Sequence, residues 1–100
     1  MATGEINFLD SRMITSYLPN EDIIDTMLYG FVTVTTNNSY NKSLYDAVGA
    51  TFCYVFQFFY GSPSTTGARL QIAFPYVPTV DKMAWRNYRN GTWSSWHVIG

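Results

Sequence analysis

The C-terminal end of the chain, residues 83–99, reads MAWRNYRNGTWSSWHVI and has the pattern of a β-hairpin. Asn90 and Gly91 stand between two runs that are rich in aromatic residues. Both central residues of a type I′ turn need positive φ angles, and an Asn-Gly pair adopts them readily. We therefore predict two antiparallel strands, Lys82–Arg89 and Thr92–Ile99, joined by a two-residue turn.

A two-residue turn also sets the register of the hairpin, because it places Arg89 opposite Thr92 and Trp85 opposite Trp96. Strand alternation then separates the side chains into two faces. One face is expected to pack on the core and holds Met83, Trp85, Trp96 and Val98. The other mixes aromatic and polar groups, which suits a subunit interface or a sugar-contacting surface, and holds Arg86, Tyr88, Trp93, Ser95 and His97.

Three earlier runs also predict strands, namely Phe31–Thr36, Thr51–Tyr60 and Ala68–Phe74. The second reads TFCYVFQFFY, and its near-continuous apolarity indicates a strand covered on both faces, by the rest of the fold or by another subunit. The third alternates between two faces, with Leu70, Ile72 and Phe74 set against Arg69, Gln71 and Ala73. Pro75 and Pro78 are expected to end it.

One short helix is predicted ahead of these strands, over Asn20–Gly30. Asn20 has the side chain of a helix N-cap, and Gly30 is a plausible stop. Ile23, Ile24, Met27 and Leu28 would share one helical face. The predicted fold is mostly β, a small antiparallel sheet or sandwich of about five strands with one short N-terminal helix.

Composition narrows the class of protein further. Aromatic residues make up 18% of the 100 residues, whereas charged residues make up only 13%, about half the usual quarter. An aromatic, weakly charged chain is neither disordered nor a coiled coil. The net charge of −1, with no basic run, argues against a nucleic-acid partner. No apolar run reaches the roughly 18 residues of a membrane span, so we expect no membrane insertion.

The chain offers little material for catalysis or metal binding. Cys53 is the single cysteine and His97 the single histidine, which excludes an intrachain disulfide framework and a histidine-rich metal site. Cys53 lies in an aromatic strand, where a buried, inert thiol is the expected state. The carboxylates show no arrangement typical of a glycosidase. We expect a protein that is not an enzyme, with no catalytic residue, no metal and no cofactor.

The loop Gly61–Gly67 is a second place where a ligand could bind, since Tyr60 precedes it and Arg69 follows it. Exposed rings and neutral hydroxyl groups are typical of saccharide sites. The same Ser, Thr and Gly composition is also that of an ordinary hairpin loop, which is the interpretation we favour.

The hairpin resembles the ending of many phage tail-fibre proteins, where a strand arginine, a turn with Asn-Gly, Trp-x-x-Trp and an apolar end follow one another. The chain is similar to the knob domain shared by pyocin and phage tail fibres. Further matches are Gly30–Val34, Tyr54–Phe58 and Arg69–Phe74.

This resemblance implies that residues 19–100 form a knob-like β domain and that residues 1–18 are the end of a shaft or a linker. It further implies a homotrimer at the distal tail fibre of a virion, a receptor-binding adhesin for host attachment that recognises a bacterial surface polysaccharide. Two alternatives stay open. One is a purely structural cap that trimerises the fibre, and the other is a carbohydrate-binding module of an enzyme.

The motif residues have a recognition role and a packing role to be weighed against each other. For Trp96 we favour packing inside the domain, and for Arg86 we favour contact with an aromatic ring or a carboxylate. For Tyr88 and Trp93 neither role is favoured. The candidate ligand-binding residues are Trp93, Tyr88, Arg86, Tyr60 and Arg69, and the structural motif is Trp85, Trp96, Asn90 and Gly91.

Overall fold

The computed structural model describes residues 24–100, which form one antiparallel sheet with a helix packed on one side. The elements are β1 Phe31–Thr35, α1 Lys42–Val48, β2 Phe52–Phe59, β3 Arg69–Val77, β4 Met83–Arg89, β5 Thr92–Trp93 and β6 His97–Ile99. Strands β1 to β4 lie side by side in chain order, and β5 and β6 both pair with β4. The prediction of a mostly β, antiparallel domain is confirmed.

The core lies between α1 and one face of the sheet, which we call the inner face. Its members are Val32, Val34, Cys53, Val55, Gln57, Arg69, Gln71, Ala73, Ala84 and Arg86, all buried. From α1, Leu44 and Val48 point to the sheet because residues four apart share one side of a helix. Ile24 and Met27 complete the apolar cluster. Apolar residues fill only part of the inner face, and the rest is polar.

The helix is not where the sequence predicts it. Over its described part, the expected Asn20–Gly30 helix is wrong, since Ile24–Gly30 forms a turn followed by irregular chain. Its backbone carbonyls accept hydrogen bonds from side chains of the sheet, for example Ile24 O from Gln71 and Met27 O from Gln57. These tertiary bonds outweigh a marginal two-turn helix. Residues 20–23 and the predicted 1–18 linker lie outside the described residues.

The observed helix, α1, begins instead in a stretch without a clear pattern. The helix has only seven residues, which is less than two turns. Its buried residues are Leu44 and Val48, too few to show a helical period in the sequence. Gly49 ends it with φ of 76°, the left-handed conformation that glycine adopts without strain, and its N–H donates to Tyr45 O at 2.7 Å. This stop is the strongest sequence signal that α1 offers.

The predicted turn of the C-terminal hairpin is confirmed. Asn90 and Gly91 have φ of 55° and 84°, and Arg89 pairs with Thr92. The predicted pairing beyond the turn is wrong, because Trp85 lies opposite His97 and stacks on its ring with centroids 4.3 Å apart.

A one-residue irregularity between β5 and β6 causes this shift. Ser94 takes over the bonding of the interrupted ladder, since its N–H donates to Asn87 O at 2.8 Å and its hydroxyl accepts from Asn87 N–H at 3.1 Å. The residues around Ser94 therefore need no strand partner. Pairing with β4 resumes at His97, with the register shifted by one residue. Alternation alone does not reveal such an insertion.

The predicted faces of β4 are also reversed. Met83 and Trp85 were expected in the core, yet both are only half-buried, whereas Ala84 and Arg86 are buried. Large apolar side chains normally occupy the buried side. Here the buried side of β4 holds the small side chain of Ala84 in the core. It also holds Arg86, whose hydrogen-bond partners are buried with it or lie beside it.

Strand β3 continues past Pro75, which was expected to end it. Pro75 pairs with Cys53, and Val77 pairs with Phe52, so Tyr76 is an extra residue in β3. A proline is tolerated in a sheet at such a bulge because the ladder is already interrupted there.

Candidate functional site

A row of polar side chains crosses the inner face of the sheet. Gln57, Gln71 and Arg86 lie opposite one another on β2, β3 and β4, and we call them the polar row. Gln71 Nε2 donates to Gln57 Oε1 at 2.9 Å, and Arg86 Nε donates to Gln71 Oε1 at 2.9 Å. All three are at most 4% exposed, so the sheet itself supplies the partners that water would otherwise provide.

The polar row holds the residues before β1 against the sheet. Gln57 Nε2 donates to Met27 O and Tyr29 O, at 2.9 and 3.0 Å. Gln71 Nε2 donates to Ile24 O at 2.7 Å. These carbonyls are part of an irregular segment and would otherwise be left without a partner. The row therefore replaces secondary structure in fixing this segment.

Arg86 is almost wholly buried, at 4% exposed, and it is bound from several sides. Its Nη2 forms an ion pair with Asp25 Oδ1 at 2.7 Å. Its guanidinium lies over the ring of Trp93 at 3.9 Å and the ring of Trp96 at 4.5 Å from the ring centroids. Burial lowers the pKa of Arg86, and the hydrogen bond and charge of Asp25 act against that shift. The side chain is thus fixed as a cation between two rings.

Arg69 lies next to this cluster and is bound differently. Its two terminal nitrogens donate to backbone carbonyls, Asp25 O and Thr65 O, both at 2.9 Å. Its guanidinium lies 4.5 Å from the ring centroid of Tyr88 and 4.9 Å from that of Trp93. Burial is the main cause that lowers the pKa of Arg69. Arg69 thereby ties the Gly61–Gly67 loop to the residues before β1.

Four of the five candidate ligand-binding residues come together in this cluster, namely Arg69, Arg86, Tyr88 and Trp93. Tyr60 lies apart, directly after β2, and is 90% exposed. The two arginines are buried in contacts within the chain, whereas Tyr88 and Trp93 are half-buried and meet edge to face at 5.1 Å. The surface of this cluster is therefore aromatic.

The opposite face of the sheet, which we call the outer face, exposes a field of aromatic rings. Its large exposed side chains are Phe52, Tyr54, Phe56, Phe58, Phe74 and Tyr76, each 36–56% exposed. Neighbouring rings contact one another across the strands. The ring centroids of Phe31 and Phe56, for example, are 4.9 Å apart. Among residues 24–100, β2 is thus covered on one face only.

Sequence reasoning treated β2 as uniformly apolar and missed this division. The signal was present in the alternation of large rings with Cys53, Val55 and Gln57, which are the smaller or polar residues of the strand. The polar row was missed as well, because its three members are far apart in sequence.

A groove of about 360 Å³ opens on the inner side, between α1 and the irregular segment after β5. Its lining includes Ser43, Asp46, Arg86, Ser94, Ser95 and Trp96. Trp96 Nε1 donates to Ser43 Oγ at 3.2 Å, which ties the two walls together. The groove combines one ring with hydroxyl groups and a carboxylate.

Cys53 lies in the core of the described chain, away from solvent. Cys53 is 1% exposed, and burial raises the pKa of its thiol to about 12, so it stays protonated at neutral pH. Within residues 24–100, no three His, Cys, Asp or Glu side chains come together as a metal site. In the same range no helix is long and apolar enough to cross a membrane.

Comparison of the chain with models of known families, with curated proteins and with solved structures gave no match.

Proposed function

We propose that this chain is the receptor-binding tip domain of a bacteriophage tail fibre, a homotrimeric adhesin that recognises a bacterial surface glycan. The observation that carries this proposal is the aromatic outer face, which needs a partner surface. The resemblance of residues 83–99 to tail-fibre knobs supports the same assignment and indicates that the partner is further copies of the chain.

The area of the outer face fits an assembly interface. At about 200 Å² for a fully exposed ring, its six exposed aromatic residues leave roughly 500 Å² of apolar surface in water. That is at the upper end of the largest patch on a typical monomer, about 300–600 Å². With the half-buried Ile72, Met83 and Trp85 around it, the patch approaches the roughly 800 Å² per partner of a stable interface.

The chemistry of the outer face favours copies of the chain over a charged partner. None of its six exposed rings carries a charge, so copies of this face can meet around an axis without bringing charged rings together. Tyr54 and Tyr76 present phenol groups, which tolerate the wet rim of an interface. The same face around a common axis would give three equivalent contacts.

As an adhesin, the trimer would act through multivalency. Each subunit offers one weak glycan site, and three sites on one fibre tip share the same cell surface. Linked weak sites give an avidity well above that of one site, without new contacts. The polar, weakly charged surface suits neutral hydrogen bonds to sugar hydroxyl groups.

The test combines light scattering of the full chain with labelling of a panel of bacterial strains by the fluorescently tagged protein. We expect a mass of three times 11.4 kDa and labelling of some strains. Phe58→Asp should dissociate the trimer, since it places a charge in the apolar interface. Tyr40→Asp is the matched control, because Tyr40 is similarly exposed but lies in the loop before α1, off the sheet.

Each outcome separates the candidate functions. A trimer that labels no strain would favour the structural cap over the adhesin. A single chain that binds glycans would overturn the trimer and favour a carbohydrate-binding module. Dissociation by Tyr40→Asp but not by Phe58→Asp would place the interface elsewhere than the outer face.

A further inference from the structure

The groove between α1 and the segment after β5 lies on the side of the sheet away from the aromatic rings. Its residues come from α1, β4 and the Ser94–Trp96 segment, on the inner side. The outer face belongs to β2 and β3. An assembly through the outer face therefore leaves the groove open to solvent.

The groove is pre-formed by bonds between its walls. Trp96 is fixed from two directions, by Arg86 against its ring and by the bond from its Nε1 to Ser43 Oγ. Ser94 is fixed by its backbone and side-chain bonds to Asn87. A site held in this way loses little conformational entropy when a ligand binds.

The charges around the groove are balanced. Asp25 neutralises Arg86 at 2.7 Å, and Lys42 neutralises Asp46 at 2.9 Å. A charged ligand would find no unmatched charge among these four groups. What the groove offers instead is the hydroxyls of Ser43 and Ser95, the Asp46 carboxylate as an acceptor, and the Trp96 ring.

Those groups match the two needs of an uncharged sugar. Its hydroxyl groups require donors and acceptors, of which a carboxylate gives the stronger bonds. Its C–H faces pack on aromatic rings. A volume of about 360 Å³ lies at the small end of the range for ligand sites, about 300–1,000 Å³, and accommodates one or two pyranose rings.

We propose that this groove, with Asp46, Ser95 and Trp96 as its contacting residues, binds an uncharged pyranose of a surface glycan. The inference rests on the proposed adhesin function and names its ligand class and site. It also assigns recognition to residues outside the Arg69, Tyr88 and Trp93 cluster.

The test follows the indole N–H resonance of Trp96 in the isotope-labelled full chain, assigned with Trp96→Phe. The probes are the methyl glycosides of glucose, galactose and mannose and N-acetylglucosamine. We expect at least one to shift this resonance saturably, with a dissociation constant on the order of 1 mM, the range of a few hydrogen bonds.

Two variants and one matched control locate the site. Ser95→Trp should abolish the shift by filling the groove. Asp46→Ala should weaken binding about tenfold, because it removes a charged acceptor. Lys42→Ala breaks the same exposed ion pair, yet Lys42 does not line the groove, so binding should stay within about twofold.

The proposal for the groove and the proposal for the function fail differently. No saturable shift with any of the four sugars, or equal binding by Ser95→Trp, would overturn the groove as the site. If the variants instead label bacteria as the wild type does, the adhesin stands and its site lies elsewhere. If the sugar binds but no strain is labelled, the adhesin fails and the groove stands as a sugar site.

Discussion

The two faces of the sheet reverse the usual distribution of side chains over part of their area. The inner face buries two glutamines and two arginines, whereas the outer face exposes six large aromatic residues. The inner residues are stable there because nearly every polar atom has a partner. In the described chain, Arg69 Nε is the one buried side-chain nitrogen or oxygen without one. The outer face has no such compensation within the subunit, which is why we assign it to an assembly.

Of the substitutions on the two faces, removal of a charge from the inner face should lower the free energy of unfolding most. Arg86→Met should lower the free energy of unfolding by about 3 kcal/mol, because Asp25 and Gln71 lose their partner. Arg89→Met on the same strand is the control, since Arg89 is exposed, and should change stability by less than about 0.5 kcal/mol. Denaturant unfolding measures both, and equal stability of the two variants would contradict a structural role for Arg86.

A smaller loss in the free energy of unfolding is expected at Gln57, the end of the polar row opposite Arg86. Gln57→Leu keeps the side-chain size but leaves the carbonyls of Met27 and Tyr29 without their donor, at a cost of about 2 kcal/mol. Amide exchange should show faster opening of the segment before β1. A variant as stable as the wild type would mean that water replaces Gln57 in holding that segment.

The inner face should also respond to alkaline pH through Cys53. Its thiol pKa is about 12 when folded, against 9.0 for a solvent-exposed thiol, so mainly the unfolded state ionises between these values. The contribution of Cys53 to stability is constant below pH 9 and falls as the pH rises toward 12. Between pH 7 and pH 10 the free energy of unfolding of the wild type should fall by roughly 1 kcal/mol more than that of Cys53→Ala. Parallel pH profiles of the two proteins would contradict burial of the thiol.

A substitution on the outer face should change the free energy of unfolding of the single subunit least. Phe58→Thr removes a ring that is 55% exposed and introduces a β-branched residue, which suits a strand. At concentrations where scattering shows single chains, its free energy of unfolding should change by less than about 0.5 kcal/mol. A loss as large as that of Arg86→Met would show that the outer face is part of the subunit's own core.

Local features of the fold were predictable where one or two residues decide the conformation. The Asn90-Gly91 turn and the strands on either side of it follow from positive φ angles and β-prone side chains. The one-residue shift at Ser94 was not predictable, because a serine hydroxyl replaced a strand bond there. The helix at α1 carried too few apolar residues to outweigh the clearer pattern upstream.

The candidate site was predictable in its residue types but not in its arrangement. Five arginines and rings were identified as candidates, and four of them do meet, three from the hairpin and Arg69 from β3. That Arg86 is buried between Trp93 and Trp96 depends on Asp25, which is 61 residues away in the chain. The groove depends in the same way on the distance between α1 and the Ser94–Trp96 segment, which no local pattern encodes.

The sequence by itself determined the class of fold, the strands and the hairpin turn, because these depend on backbone preferences and on neighbours a few residues apart. Only the tertiary structure decided which face of the sheet is buried. Both faces carried enough apolar side chains to form a core, and hydrogen bonds from Gln57, Gln71 and Arg86 to a distant segment settled the choice. Alternation defines two faces, whereas long-range partners select the inner one.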